Sequence, residues 1–235
     1  MWRANIILKL ENLQLTGSFK PRGAFIKLSG LSEKEMKSGV IAASAGNHAQ
    51  GVAYHARQLG IPATIYMPEG TPFTKVGRTE ALGARVVLAG AGLTEAREAA
   101  LSQCEEQGQV FIHPYDDECV IAGQGTVGLE FLSDFPDLEM LVVPIGGGGL
   151  LAGTAVAAKA LKPDLEIIGV EAALYPSMSR ALNGKPPGSG GAATIADGIA
   201  VKVPGDLTKP VIAELVEDII LVDEQALEGA TQTYL

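Results

Sequence analysis

Cysteine is scarce, and the two residues present, Cys104 and Cys119, stand in neither a CxxC pair nor a His/Cys cluster. A disulfide framework and a zinc site thereby have little support. Positive charge is also in short supply, since 18 basic residues against 27 acidic ones leave a net charge of −9. Such a chain has no basic surface for nucleic acid or anionic lipid, so a small-molecule partner is expected. Any bound anion has to be held by backbone N–H groups and a few placed side chains, which directs attention to the glycines. No apolar run approaches the roughly 18 residues of a membrane span, and the opening Met1-Trp-Arg-Ala-Asn5 does not begin one. A cytoplasmic protein is expected. Internal repeats and charge-run tails are absent as well.

What the sequence has in quantity is apolar material, 47% of 235 residues, enough for one large domain or two small ones. Short β-rich runs alternate with helical patterns. Strands are expected at Asn5–Leu10, Val40–Ala43, Ala63–Met67, Arg85–Leu88, Val110–His113, Met140–Ile145 and Glu166–Glu171. Helices are expected at Phe19–Leu28, Asn47–Leu59, Thr71–Leu82, Leu93–Gln107, Gly123–Phe135 and Leu150–Leu161, with another beginning near Asp223. Strand and helix taking turns implies right-handed crossovers and an α/β fold, with mostly parallel sheet covered on both faces. Met140–Pro144 and Ile167–Val170 are apolar throughout, as in strands buried on both sides. The Gly/Pro-rich stretch Gly184–Gly191 reads as an exposed loop.

Open α/β sheets bind ligands where strand C-termini feed into helices, because free N–H groups converge there. Three such turns have unusual chemistry. In Thr16-Gly-Ser-Phe-Lys20-Pro-Arg-Gly23, a lysine in the first helical turn opposes the helix dipole. A plain helix start with Ser18 as N-cap is the ordinary account of that turn. Ser44-Ala-Gly-Asn-His48 opens the next helix, with Asn47 expected as N-cap and Gly46 at positive φ, and its amides with the Ser44 hydroxyl form a cradle suited to a carboxylate. Gly146-Gly-Gly-Gly149 joins a strand to the helix from Leu150, and four glycines suit close backbone approach to a phosphate. Alone, the last motif is ambiguous. Gly147-Gly-Gly149-Leu-Leu-Ala152 also satisfies a dinucleotide fingerprint, with Glu171 near the position of a ribose-binding acid, so a nicotinamide-dependent oxidoreductase competes for it.

Together the motifs resemble the fold-type II pyridoxal-phosphate enzymes, and within them the threonine/serine dehydratases and their serine racemase relatives. The resemblance is carried by Leu8–Lys20, Ser44–His48, Ile121-Ala-Gly-Gln-Gly-Thr126 and Gly146–Gly149, in the family's order. It implies two open, mostly parallel sheets flanked by helices, with a small domain over 39–115 and a large one over 1–38 and 116–235. It also implies pyridoxal 5′-phosphate as cofactor, carried by Lys20 as a Schiff base, with Phe19 packed on the pyridine ring and Asn47 on the ring oxygen. Gly146, Gly147, Gly148, Gly149 and Leu150 would hold the phosphate. Ser44, Ala45, Gly46, Asn47 and His48 would form the substrate loop, His48 through its backbone N–H, with Tyr115 lining the pocket.

The implied reaction is loss of water and ammonia from L-threonine or L-serine, a lyase reaction of amino-acid metabolism, in an expected homo-oligomer. Serine racemases carry a second serine where this chain has Ala45, and a methyl group moves no proton. Elimination is therefore favoured over racemisation. The racemase-like divalent-cation site is matched only by Glu171, because Ser177 stands where a carboxylate is expected. Family members extend beyond both ends of this stretch, so a shortened relative that binds cofactor or amino acid without turnover is the competing expectation. His55 is expected to be a half-buried packing residue.

Overall fold

A computed structural model describes residues 4–186 and 193–234. Its elements run in the alternating order expected. Strand β1 (Val40–Ala43) is followed by helix α3 (Asn47–Leu59), β2 (Ala63–Met67), α4 (Phe73–Ala81), β3 (Arg85–Leu88), α5 (Leu93–Gln107) and β4 (Val110–Phe111). These strands form one parallel sheet in the order β3-β2-β1-β4. β1 and β2 are buried along their whole length, which accounts for their largely apolar sequences. Their core continues into Val52, Ala53 and Ala56 of α3.

A second parallel sheet, β5 (Met140–Pro144), β6 (Glu166–Ala172) and β7 (Asp218–Val222), has the order β5-β6-β7. Around it lie α6 (Glu118–Asp134), α7 (Gly149–Leu161), α8 (Ser177–Leu182), α9 (Thr208–Leu215) and α10 (Glu224–Tyr234). Ahead of both sheets come α1 (Lys20–Ser29) and α2 (Glu33–Ser38). α2 starts on a capping box in which the Ser32 hydroxyl and the Glu35 carboxylate satisfy each other's backbone amides.

Two strand expectations need correction. Asn5–Leu10 is not a strand, despite its β-rich residues: Ile6, Leu8 and Leu10 remain about half exposed, and no strand among the described residues lies alongside. β-propensity without a partner ladder leaves the backbone unpaired. Side chains tie this segment down instead, with Lys9 on Glu130 and the Arg22 guanidinium forked between Glu11 and Glu130. β5 is not buried on both faces, because Leu141 and Val143 are buried while Met140 and Val142 are 43% and 61% exposed. Within Gly184–Gly191, residues 187–191 lie outside the described residues.

The helix contacts that position the site run through glycines. A Cβ on Gly123 of α6 would sit 2.5 Å from the Cα of Gly23 in α1, and one on Gly153 of α7 only 2.1 Å from the Ile121 carbonyl oxygen. A Cβ on Gly125 would lie 2.8 Å from the Gly153 carbonyl oxygen. α6 is therefore a spine on which α1 and α7 both lie at backbone contact.

Candidate active site

Lys20 is the first residue of α1, with Pro21 beside it and Phe19 as N-cap; the cap is not Ser18, whose hydroxyl instead takes a long 3.4 Å bond from the Lys20 amide. Pro at this point fits an amide that needs no intrahelical acceptor. The Lys20 ammonium donates to the Pro114 carbonyl at 2.7 Å and lies 5.2 Å from the centre of the Phe19 ring. Desolvation pushes its pKa down to about 8. Just upstream, Thr16 has φ +64°, costly for a β-branched residue, and its buried hydroxyl has no partner among the described residues.

The depressed lysine makes a stability prediction for the chain without cofactor. Between about pH 8 and the unfolded value of 10.5, the unfolded chain holds a proton that the folded one has lost. Stability from Lys20 should therefore rise with pH through that window and be lost as pH falls toward 8. Thermal melts from pH 7.5 to 10 should show the rise in the parent and lack it in Lys20→Met. Identical profiles in the two proteins would remove the claim.

The Ser44–His48 turn reaches Lys20 through α3. A Cβ on Gly51 would lie 3.1 Å from the backbone carbon of Lys20, so the two helix starts touch there. The N-cap of α3 is Gly46, not Asn47, and its φ is −132° rather than positive. The Ser44 hydroxyl accepts from the Gly46 amide at 3.2 Å, and Asn47 is exposed. His48 is buried, with Nε2 donating to the Ile112 carbonyl at 2.9 Å. Burial, with nearby Lys20 second, holds its pKa near 3, so the ring is neutral at pH 7 and serves structure. His55 packs edge-on to Tyr54 and tilted against Phe25, as expected of a packing residue.

The glycine loop meets the other two turns at residues 112–116. Ile112 and Pro114 accept the bonds from His48 and Lys20, and the Tyr115 ring covers Gly147, where a Cβ would fall 2.3 Å from ring carbons. The Tyr115 backbone similarly closes on Gly149. Gly148 alone of the four glycines has positive φ, +96°, and its missing side chain leaves room for Thr208 and Met178. α7 begins at Gly149, one residue before expectation, so its first amides have no intrahelical acceptor. This end of α7 provides a glycine cradle of N–H groups, fit for a phosphate.

Residues to which the sequence assigned no site role hold this junction together. His113 Nδ1 accepts from the amides of Asp116 and Tyr115, and burial, with Arg97 second, keeps the ring neutral with a pKa near 4. Pro114 acts through a carbonyl that every residue type possesses. No side-chain signal marks it.

Glu171 stands apart from this junction. It is fully buried, and its two carboxylate oxygens accept from the amides of Met178 and Ser179. Burial outweighs these bonds and raises its pKa. Among the described residues no three His, Cys, Asp or Glu side chains gather to hold a metal. Both cysteines are free, Cys104 buried and Cys119 partly so. No helix among the described residues is long and apolar enough to cross a membrane.

A family model described as pyridoxal-phosphate dependent enzyme matches residues 2–235. The chain belongs to this family. L-Threonine ammonia-lyase of Thermotoga maritima is 53% identical over 226 residues, spanning 96% of this chain and 56% of that protein. The Geobacter sulfurreducens protein of the same name is 50% identical, over 94% of this chain and 56% of its own length. The chain thus spans little more than half of these relatives. Maize serine racemase superposes with a TM-score of 0.91 at 38% identity, over 96% of this chain and 68% of that one. Threonine deaminase isoform 2 of Solanum lycopersicum gives 0.88 at 43% identity, over 92% and 63%. Membership in the pyridoxal-phosphate enzymes removes the nicotinamide reading of Gly147–Ala152, and Glu171, sealed against α8, is not free to bind a ribose.

Proposed function

We propose that this chain carries the machinery of a threonine/serine ammonia-lyase, converting L-threonine or L-serine to a 2-oxo acid and ammonia. The observation that supports this most is the Lys20 amine, lowered to about 8 and held on Pro114 where the Ser44–His48 turn and the glycine loop meet. A base with a pKa close to neutrality takes up and releases protons readily.

Bound pyridoxal 5′-phosphate supplies an electron sink that makes a substrate Cα proton removable. In this reading the amides of Gly146, Gly147, Gly148, Gly149 and Leu150 hold the phosphate, Asn47 the ring oxygen, and Phe19 the ring face. Ser44, Ala45, Gly46, Asn47 and the His48 amide hold the substrate carboxylate, while Tyr115 walls the pocket. Lys20 would carry the cofactor at rest, and its freed amine would be the base for the Cα proton. Water lost in elimination is returned on hydrolysis of the released enamine, so the net products are one 2-oxo acid and one ammonia.

The substrate-loop domain in this proposal is 39–115, and 1–38 with 116–235 form the cofactor domain. A cytoplasmic location and a homo-oligomer belong to it also, the latter supported by the exposed apolar residues Met140, Val142, Ile220 and Leu221 on the second sheet. A divalent cation at Glu171 would compete with two amides for the same oxygens, which weighs against that site.

The test is an oxo-acid and ammonia assay with L-threonine and L-serine, beside chiral analysis of recovered serine. Oxo acid with little D-serine is expected from the parent, because Ala45 presents no proton to the second face of the substrate. Ala45→Ser should introduce measurable racemisation. Abundant D-serine from the parent would overturn the one-face argument, and cofactor-loaded protein yielding neither product would overturn the lyase reading.

A further inference from the structure

The Gly147 carbonyl accepts two hydrogen bonds from a segment 58 or more residues away, at 2.8 Å from the Thr208 hydroxyl and 3.1 Å from the Gly205 amide. Thr208 is the first residue of α9 and fully buried. The Gly205 carbonyl, at 3.2 Å, is the alternative acceptor for its single proton. Asp116 fixes this segment in turn: its two carboxylate oxygens accept from the amides of Asp206 and Leu207, at 3.0 and 2.9 Å. Tyr115, adjacent in sequence, donates its hydroxyl to the Val203 carbonyl at 2.9 Å. A Cβ on Gly205 would lie 2.3 Å from an Asp116 oxygen, so a larger residue there would displace the Asp116 carboxylate.

A planar trans peptide points its carbonyl and its N–H in opposite directions. Holding the Gly147 carbonyl toward Thr208 therefore aims the Gly148 N–H away from Thr208. A tetraglycine segment has wide conformational freedom, and without such a hold that amide would sample many directions. We propose that Thr208, clamped through Asp116, is a positioning residue that orients the glycine loop for the cofactor phosphate. This rests on the reading above that Gly146–Leu150 hold that phosphate. Thr208 orders the donors without itself touching the ligand.

The experiment measures the affinities of pyridoxal 5′-phosphate and of pyridoxal, which lacks the phosphate, by absorbance titration of cofactor-free protein. Parent, Thr208→Val, Thr208→Ser and Gly148→Val are compared. The parent should prefer the phosphorylated form strongly. Thr208→Val, which keeps the shape and removes the donor, should lower that preference about tenfold or more with little change toward pyridoxal. Thr208→Ser should keep it. Equal losses for both ligands would reduce Thr208 to a structural role and overturn the proposal. So would a Thr208→Val protein that keeps the parent's preference while Gly148→Val loses it, and that result leaves the loop assignment standing. A parent that binds both forms alike removes the loop assignment and the proposal together. If Thr208→Val does not fold, Asp116→Asn perturbs the same clamp more mildly: a reduced preference supports the proposal and an unchanged one overturns it.

Discussion

Replacing Lys20 by alanine should reduce oxo-acid formation by about 10³-fold or more, the range expected when a positioned acid–base group is lost. It should also abolish cofactor attachment by borohydride reduction. In the parent, reduction followed by peptide mapping should place the label on Lys20. The structure gives two reasons for this position. A lysine at the start of a helix opposes the dipole, and here its amine is also desolvated on the Pro114 carbonyl, away from any carboxylate partner shown for it. Both features cost local stability and leave an amine that readily loses its proton. Lys20→Arg separates charge from chemistry, because arginine keeps the positive charge yet does not deprotonate. It should be as inactive as the alanine variant. Label on another lysine, with none on Lys20, sinks the assignment, and so does a Lys20→Ala protein that turns over at the parent's rate.

The parts of the molecule legible in the sequence are those where one residue type has one physical use. β1, α3, β2, β3 and α5 fall at the expected residues, because short β-rich runs and Gly-terminated helices leave strong local patterns. Lys20, Ser44–His48 and Gly146–Gly149 stand out because a first-turn lysine and four glycines need an explanation. What could not be read are interactions made through main chain. The carbonyls of Ile112 and Pro114, which receive His48 and Lys20, carry no residue-specific mark, and the second-sheet helices α8 and α9 are too short for a clear period. The burial of Glu171 is illegible for a related reason. Its partners are the amides of Met178 and Ser179, which any sequence offers. Asn5–Leu10 shows the opposite failure, a good strand pattern with no ladder to join.

The Ile121–Thr126 motif matched a family pattern without suggesting a use, and the structure supplies one that can be tested by substituting glycines. Helical Gly77 in α4 faces open space, so Gly77→Ala should stabilise the chain by about 1 kcal/mol, the ordinary helix-propensity gain. Gly153 in α7 has the same helical environment but the reverse expectation. The added Cβ would meet the Ile121 carbonyl oxygen at 2.1 Å and the Gly125 amide nitrogen at 2.8 Å, and both obstacles are backbone with no rotamer to yield. Gly153→Ala should destabilise by about 3 kcal/mol, at the upper end for overpacked cores, lowering the melting temperature by roughly 6–12 °C. Relief of that clash requires α7 to move off α6. The glycine loop at the head of α7 would move with it, while Lys20 stays tied to α6 through the Gly23–Gly123 contact. Gly153→Ala should therefore weaken pyridoxal phosphate binding even where the protein remains folded, and Gly77→Ala should leave it unchanged. A Gly153→Ala protein as stable as the parent, with parental cofactor affinity, would show that the α6–α7 contact does not set the distance between the lysine and the loop.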